Sequence, residues 1–229
     1  MPALTIADYL KYANLQMAAE ALFRFNATPP GTNLSPGDQF RDDIPVDVLT
    51  TGNLHATRFS ETEAESFVGQ WRVVEHISNT STGFSGTLFM ANKDNPAAGI
   101  KKDDLVLSFR STEFIDDAAR DNEATNKLEI KDKGFAFGQL SDMEDWWAHL
   151  QTLTTTDAQG NVSNLLAGKS ISVTGYSLGS HMATAFNLMH GQEILADGSP
   201  RVAKVVNFNG AGIGTIGAGS LATMRAQLP

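Results

Sequence analysis

Apolar residues in "TIADYLKYANLQMAAEALFRF" recur at helical spacing behind Thr5-x-x-Asp8, a capping-box variant with Asp in place of Glu or Gln. The pattern predicts an amphipathic helix running from that box through about Phe25. Residues 27–45, "ATPPGTNLSPGDQFRDDIP", are dense in Pro, Gly and Asp and read as a surface loop. The pattern then changes period. "QWRVVEHISN" and "GFSGTLFMAN" alternate or cluster apolar residues between turn signals, and "DDLVLSFRST" reads as a more fully buried strand. A polar, charged segment covers residues 113–133. Beyond it, "QLSDMEDWWAHLQTL" returns to helical spacing, with Leu140, Met143, Trp147 and Leu150 on one face.

Past the turn-rich "TTTDAQGNVSN", the strand-like "KSISVTGYS" runs into the helical "SLGSHMATAFNLMHGQEI". "RVAKVVNFNGAGIG" supplies a further strand. Strands alternating with helices predict parallel βαβ units and a three-layer α/β domain. The 229 residues, 41% apolar, suit one domain with a substantial core. There is no internal repeat. The Gly-rich "AGIGTIGAGS" reads as a flexible loop or a worn linker.

Composition removes several function classes. No run of eighteen apolar residues exists, so no membrane span is expected. The N-terminal stretch lacks the basic region and continuous apolar core of a Sec-type signal peptide. Without cysteine there is no disulfide framework, thiolate metal site or cysteine nucleophile. The net charge of −9, from 26 acidic and 17 basic residues, and the lack of a Lys/Arg cluster argue against nucleic acid as a partner.

The candidate chemistry lies in Gly175-Tyr176-Ser177-Leu178-Gly179, which fits G-x-S-x-G. "ISVT" is strand-like before it and "HMATAFNLM" helix-like after it, the context that a nucleophile elbow requires. A sharp strand-to-helix turn forces the serine into a strained conformation, and flanking glycines let neighbouring backbone come close without a Cβ clash. The alternative is a Gly-Ser turn with no chemistry. A nucleophilic Ser177 also needs an oxyanion hole. One donor is the backbone N–H of Leu178, and the second must come from a loop ending an earlier strand, for which "LVLSFRSTEF" stands in the right chain order.

"LSFRSTE" followed later by "VTGYSLGS" resembles the class 3 lipase family of α/β-hydrolases, whose members carry F-R-G-T or F-R-G-S and then an elbow of the G-H-S-L-G-G kind. The bacterial secreted lipase and esterase branch is the most similar, with "LTIADYLKYANLQM", "GFSGTLF", "FGQLSDMEDWW" and "VVNFNGAGIG" as further matching pieces. The resemblance implies an α/β-hydrolase-type sheet, mostly parallel in its C-terminal half, in a single domain over residues 1–229. It makes Ser177 the nucleophile, Leu178 N–H one oxyanion donor and Thr112 the other, by its N–H and its hydroxyl. Ser111 stands where the family has glycine, Ser180 replaces the second glycine after Leu178, and Tyr176 replaces a frequent histidine. A lipid or other acyl-ester substrate, contact with a lipid interface, no cofactor and an extracellular location are further implications. Acyl-chain preference and oligomeric state are not among them.

In this fold the triad acid and histidine follow the serine. Downstream of Ser177 the histidines are His181 and His190, both in the helix after the elbow, and residues 198–229 hold no Asp, Glu or His. His181 reads as a packed structural residue, His190 as a helix C-terminal one and Asp197 as a turn residue. His55, His76 and His149 precede the elbow, and the histidine spacing gives no metal motif. Asp116, Asp117 and Asp121 read as a solvated acidic run, with calcium binding or organisation of the preceding loop as the alternative. The expectation is therefore an N-terminal portion of a larger hydrolase, with the acid, the histidine and a lid supplied by sequence beyond Pro229. The competing expectations are a non-catalytic hydrolase-fold domain used in binding or assembly, and an amidase or thioesterase using the same serine.

Overall fold

A computed structural model describes residues 4–21, 23, 39–40, 43–53, 57–111, 135–210 and 212–213. The first helix, α1 (Ile6–Ala19), opens as the sequence predicts. Asp8 N–H donates to Thr5 Oγ1 at 3.1 Å and Thr5 N–H donates to Asp8 Oδ2 at 3.0 Å, closing the capping box. These backbone and hydroxyl bonds from Thr5 draw the Asp8 pKa down to about 2. The helix stops at Ala19, short of Phe25. Glu20 is its C-cap, and its carboxylate turns inward to partners across the fold rather than out to solvent.

Two short helices, α2 (Val46–Thr51) and α3 (Glu61–Val68), lead into the sheet. The strands are β1 (Gln39–Phe40), β2 (Trp71–Ile77), β3 (Gly86–Ala91), β4 (Leu105–Phe109), β7 (Ile171–Tyr176) and β8 (Val202–Phe208). They form one six-stranded sheet in the order β1-β2-β3-β4-β7-β8. The pairs from β1 to β4 are antiparallel, whereas β4-β7 and β7-β8 are parallel. Parallel neighbours need a crossover, and the helices α4 (Phe137–Leu150) and α5 (Leu178–His190) lie in those two connections. The parallel half thus follows the predicted βαβ pattern. The two-residue β1 falls inside the stretch read as loop, and it forms by pairing with Ile77 and His76 of β2.

The two faces of the sheet bury different sets of residues. On one, Leu107, Phe109, Ile171 and Val173 pack with Leu140, Met143, Trp147 and Leu150 of α4 and Met182 and Phe186 of α5. On the other, Val73, Phe89, Val106 and Val206 pack with Tyr12 and Leu15 of α1, Leu49 of α2 and Phe67 of α3. Period-2 alternation along the strands sorts the residues between these layers. A bulge at Val74 interrupts it, leaving both Glu75 and His76 buried. Glu75 accepts from Trp146 Nε1 at 3.0 Å and lies 3.1 Å from His149 Nε2, so a buried carboxylate ties β2 to α4.

"TTTDAQGNVSN" is not a plain turn. Its ends pair as an exposed hairpin, β5 (Thr154–Thr156) with β6 (Val162–Asn164), and Asp157 accepts from the N–H groups of Gln159 and Asn161 across the turn. Residues 113–133 and all of the Gly-rich stretch but Gly212 and Ile213 lie outside the described residues. Among the described residues no helix is long and apolar enough to cross a membrane.

The contact between β3 and α4 depends on a missing side chain. A Cβ on Gly86 would overlap the Trp146 ring, with Cη2 at 3.0 Å and Cε3 at 3.2 Å. Gly86→Ala is expected to destabilise the domain by about 1–3 kcal/mol through overpacking, measured as a lower urea midpoint. An unchanged midpoint would show that α4 shifts freely on the sheet.

Candidate active site

β7 ends at Tyr176 and α5 begins at Leu178, so Ser177 alone makes the strand-to-helix turn. Its backbone sits at φ 51°, ψ −116°, a region that side-chain-bearing residues rarely adopt. Such a conformation costs about 1–3 kcal/mol and persists only where the surroundings impose it. The surroundings are visible. Ser177 N–H donates to Phe208 O at 3.1 Å, and Ser177 C=O accepts from Ser180 and His181 N–H at 3.1 and 3.3 Å.

Both glycines of the motif are required by close backbone approach. A Cβ on Gly175 would run into the Gly179 carbonyl and lie 2.8 Å from Ser180 N. A Cβ on Gly179 would run into the Phe109 carbonyl and stand 3.0 Å from Arg110 O. The elbow therefore presses at one point on its own strand and at another on the end of β4. Serine at a helix N-cap ordinarily accepts from the first turn through its hydroxyl, but Ser177 makes no such bond because its backbone is not extended. Ser177 is half-buried, and among the described residues its hydroxyl has no hydrogen-bond partner; the exposed Tyr176 stands beside it. Leu178 is the first residue of α5, so its N–H belongs to the turn that lacks intrahelical acceptors and carries the positive end of the helix dipole.

Ser180, at a position where the resemblance implies glycine, makes defined contacts. Its hydroxyl lies 2.7 Å from Gly175 O and accepts from Phe208 N–H at 3.2 Å, joining α5 to β7 and β8. Asn207 adds a second link, donating to Thr184 Oγ1 at 2.9 Å. The space for Ser180 comes from Gly210, where a Cβ would stand 2.8 Å from Ser180 Cβ. Ser111 is likewise accommodated. Its N–H and hydroxyl both donate to the carboxylate of Glu20 at 2.8 Å. Thr112, the expected second oxyanion donor, lies outside the described residues, as do Asp116, Asp117 and Asp121.

Each described histidine is committed elsewhere. His181 is fully buried, its Nδ1 3.0 Å from Gly212 O and its Nε2 accepting from Ala136 N–H at 3.3 Å. This arrangement places the proton on Nδ1, and burial holds the pKa below the ordinary histidine value. It is a structural histidine. His190 closes α5, about 20 Å from Ser177 at the rise of an α-helix. Its ring bridges Glu144 at 2.7 Å and Glu193 at 2.5 Å. Burial opposes its charge, but the bonds to the two carboxylates prevail and raise its pKa. His149 pairs with Glu75. His76 meets Thr87 Oγ1 at 2.8 Å, and burial, aided by the Arg110 charge, pushes its pKa down to about 3. His55 lies outside the described residues. Asp197 accepts from Ser199 within its own turn. Among the described residues no group of three or more His, Cys, Asp or Glu is placed to hold a metal ion.

Glu20 was not singled out by sequence patterning. The available signal was a lone carboxylate in the otherwise apolar run "MAAEALF". No family model, curated protein or solved structure matches this chain.

His76 sets a sign for the acid response. Its folded pKa is depressed, so the neutral form contributes stability above the unfolded value near 6.5, which is lost as pH falls toward 3. Wild type is expected to lose roughly 2 kcal/mol more between pH 7 and pH 5 than His76→Gln does, measured by urea unfolding at each pH. Equal losses would mean that His76 takes up its proton in the folded state.

Proposed function

We propose that the protein is a serine carboxylic-ester hydrolase of the α/β-hydrolase type, acting on lipid or other acyl esters. The observation that carries this reading is the conformation of Ser177, held at positive φ between β7 and α5 with its hydroxyl uncommitted and the Leu178 N–H beside it. A turn that needed only to be tight would be met by glycine without the strain. Keeping serine there suits a hydroxyl that must project from the C-terminal edge of a sheet.

In the proposed reaction Ser177 Oγ attacks the acyl carbon and its proton passes to a general base. The carbonyl oxygen takes up negative charge and is received by the Leu178 N–H, with Thr112 as the second donor. Collapse breaks the bond to the alcohol, which leaves with the proton, and water then releases the acid from the acyl-enzyme. The acid–base pair is proposed to come from outside the described residues, since every described histidine is engaged with other groups. Calcium has no step in this scheme. The substrate class, approach from a lipid interface and an extracellular location rest on the resemblance.

A second reading has an observation of its own. The commitment of His76, His149, His181 and His190 to structural partners fits an elbow kept as scaffold in a non-catalytic domain. A fluorophosphonate probe applied to the full-length protein separates the two. The hydrolase reading predicts stoichiometric labelling that maps to Ser177 and disappears in Ser177→Ala, while the variant stays folded. A folded wild type that remains unlabelled would favour the scaffold.

A further inference from the structure

Glu20 is only 3% exposed, yet it carries an ionisable carboxyl at the end of α1. Its Oε1 accepts from Gln16 Nε2 at 2.9 Å and from Ser111 N–H at 2.8 Å, and its Oε2 accepts from the Ser111 hydroxyl at 2.8 Å. Burial pushes its pKa up, against the neighbouring Arg110 charge and these hydrogen bonds, which favour the carboxylate. Buried ionic groups of this kind contribute little net stability, because an apolar residue of similar volume serves as well or better. What the carboxylate supplies is geometry: it grips one residue at both its backbone and its side chain.

That residue follows β4 at the point where the elbow rests. Phe109 C=O meets Gly179 so closely that no Cβ fits between them, and Arg110 O lies at the edge of the same contact. Arg110 N–H in turn donates to Ser85 O at 3.1 Å. The chain leaving β4 is therefore held from three sides: by β3's entry, by the elbow and by Glu20. Of the three, only Glu20 holds Ser111 itself.

We infer that Glu20 is a positioning residue for the reaction at Ser177, acting through Ser111 to fix the chain after β4 against the nucleophile elbow. The assignment rests on the hydrolase reading. It also explains why serine is accommodated at 111, because the hydroxyl provides the second half of the grip.

The test uses the full-chain protein and the fluorophosphonate probe, reading the maximal labelling rate separately from the half-saturating probe concentration. Glu20→Gln keeps size and shape and is expected to slow maximal labelling about tenfold or more, with half-saturation within about twofold, as for a misplaced catalytic geometry. Ser111→Ala, which keeps the N–H bond, is expected to slow it by a smaller factor. The double variant is expected to be no slower than Glu20→Gln alone, since both act through one contact. If Glu20→Gln does not fold, the Ser111→Ala rate decides. Full labelling rates in the folded variants, or losses that multiply in the double variant, would overturn the assignment while leaving the hydrolase reading intact. An unlabelled wild type would instead overturn that reading and the assignment with it.

Discussion

The close approach of two backbones, Gly179 of the elbow on Phe109 at the end of β4, is the constraint on which the rest of the site depends. A helix that follows a strand directly must turn back over its own sheet, and it lies close only where no Cβ stands between the two backbones. Gly175 and Gly179 provide that at both contacts. Once the helix is seated there, Ser177 has no relaxed conformation open to it and takes up positive φ. The strain at the serine is a consequence of where α5 sits, and α5 sits there because its apolar face, with Met182 and Phe186, packs in the core against β4 and β7.

Polar groups then fix what apolar packing leaves loose. Ser180 joins the first turn of α5 to β7 and β8, and Asn207 repeats the link one turn on. Glu20 reaches from the opposite layer to the chain after β4. His181 spans from α5 to the segments around Ala136 and Gly212. Ser180, Glu20 and His181 are each buried with more than one partner, as the low polarity of the interior requires, whereas Asn207 makes its link at the surface. The four described histidines belong to this framework, and their engagement with carbonyls, hydroxyls and carboxylates is what separates them from the chemistry proposed at Ser177.

Much of this arrangement was legible in the chain. The capping box at Thr5, the buried strand at Leu105–Phe109 and the helical face of Leu140, Met143, Trp147 and Leu150 follow from local rules, because capping and periodicity are written in neighbouring residues. The strand-to-helix turn was legible for the same reason, since G-x-S-x-G places both of the glycines that make the close approaches within five residues, although one of them meets the distant Phe109. Glu20 was not, because its partner is 91 positions away and nothing local distinguishes an inward carboxylate from an outward one. The β1 strand and the β5-β6 hairpin were missed because pairing creates them, with little apolar alternation to announce it. Ser111 and Ser180 looked like departures from a family pattern. In the fold each hydroxyl has a specific buried partner.

The central claim is that Ser177 is presented as a nucleophile with the start of α5 as its oxyanion donor. The most direct measurement is a crystal structure of the protein after reaction with a phosphonate. The account predicts a covalent bond from Ser177 Oγ to phosphorus, with the phosphoryl oxygen accepting from the Leu178 N–H. A modified residue other than Ser177, or a phosphoryl oxygen turned away from the first turn of α5, would contradict it.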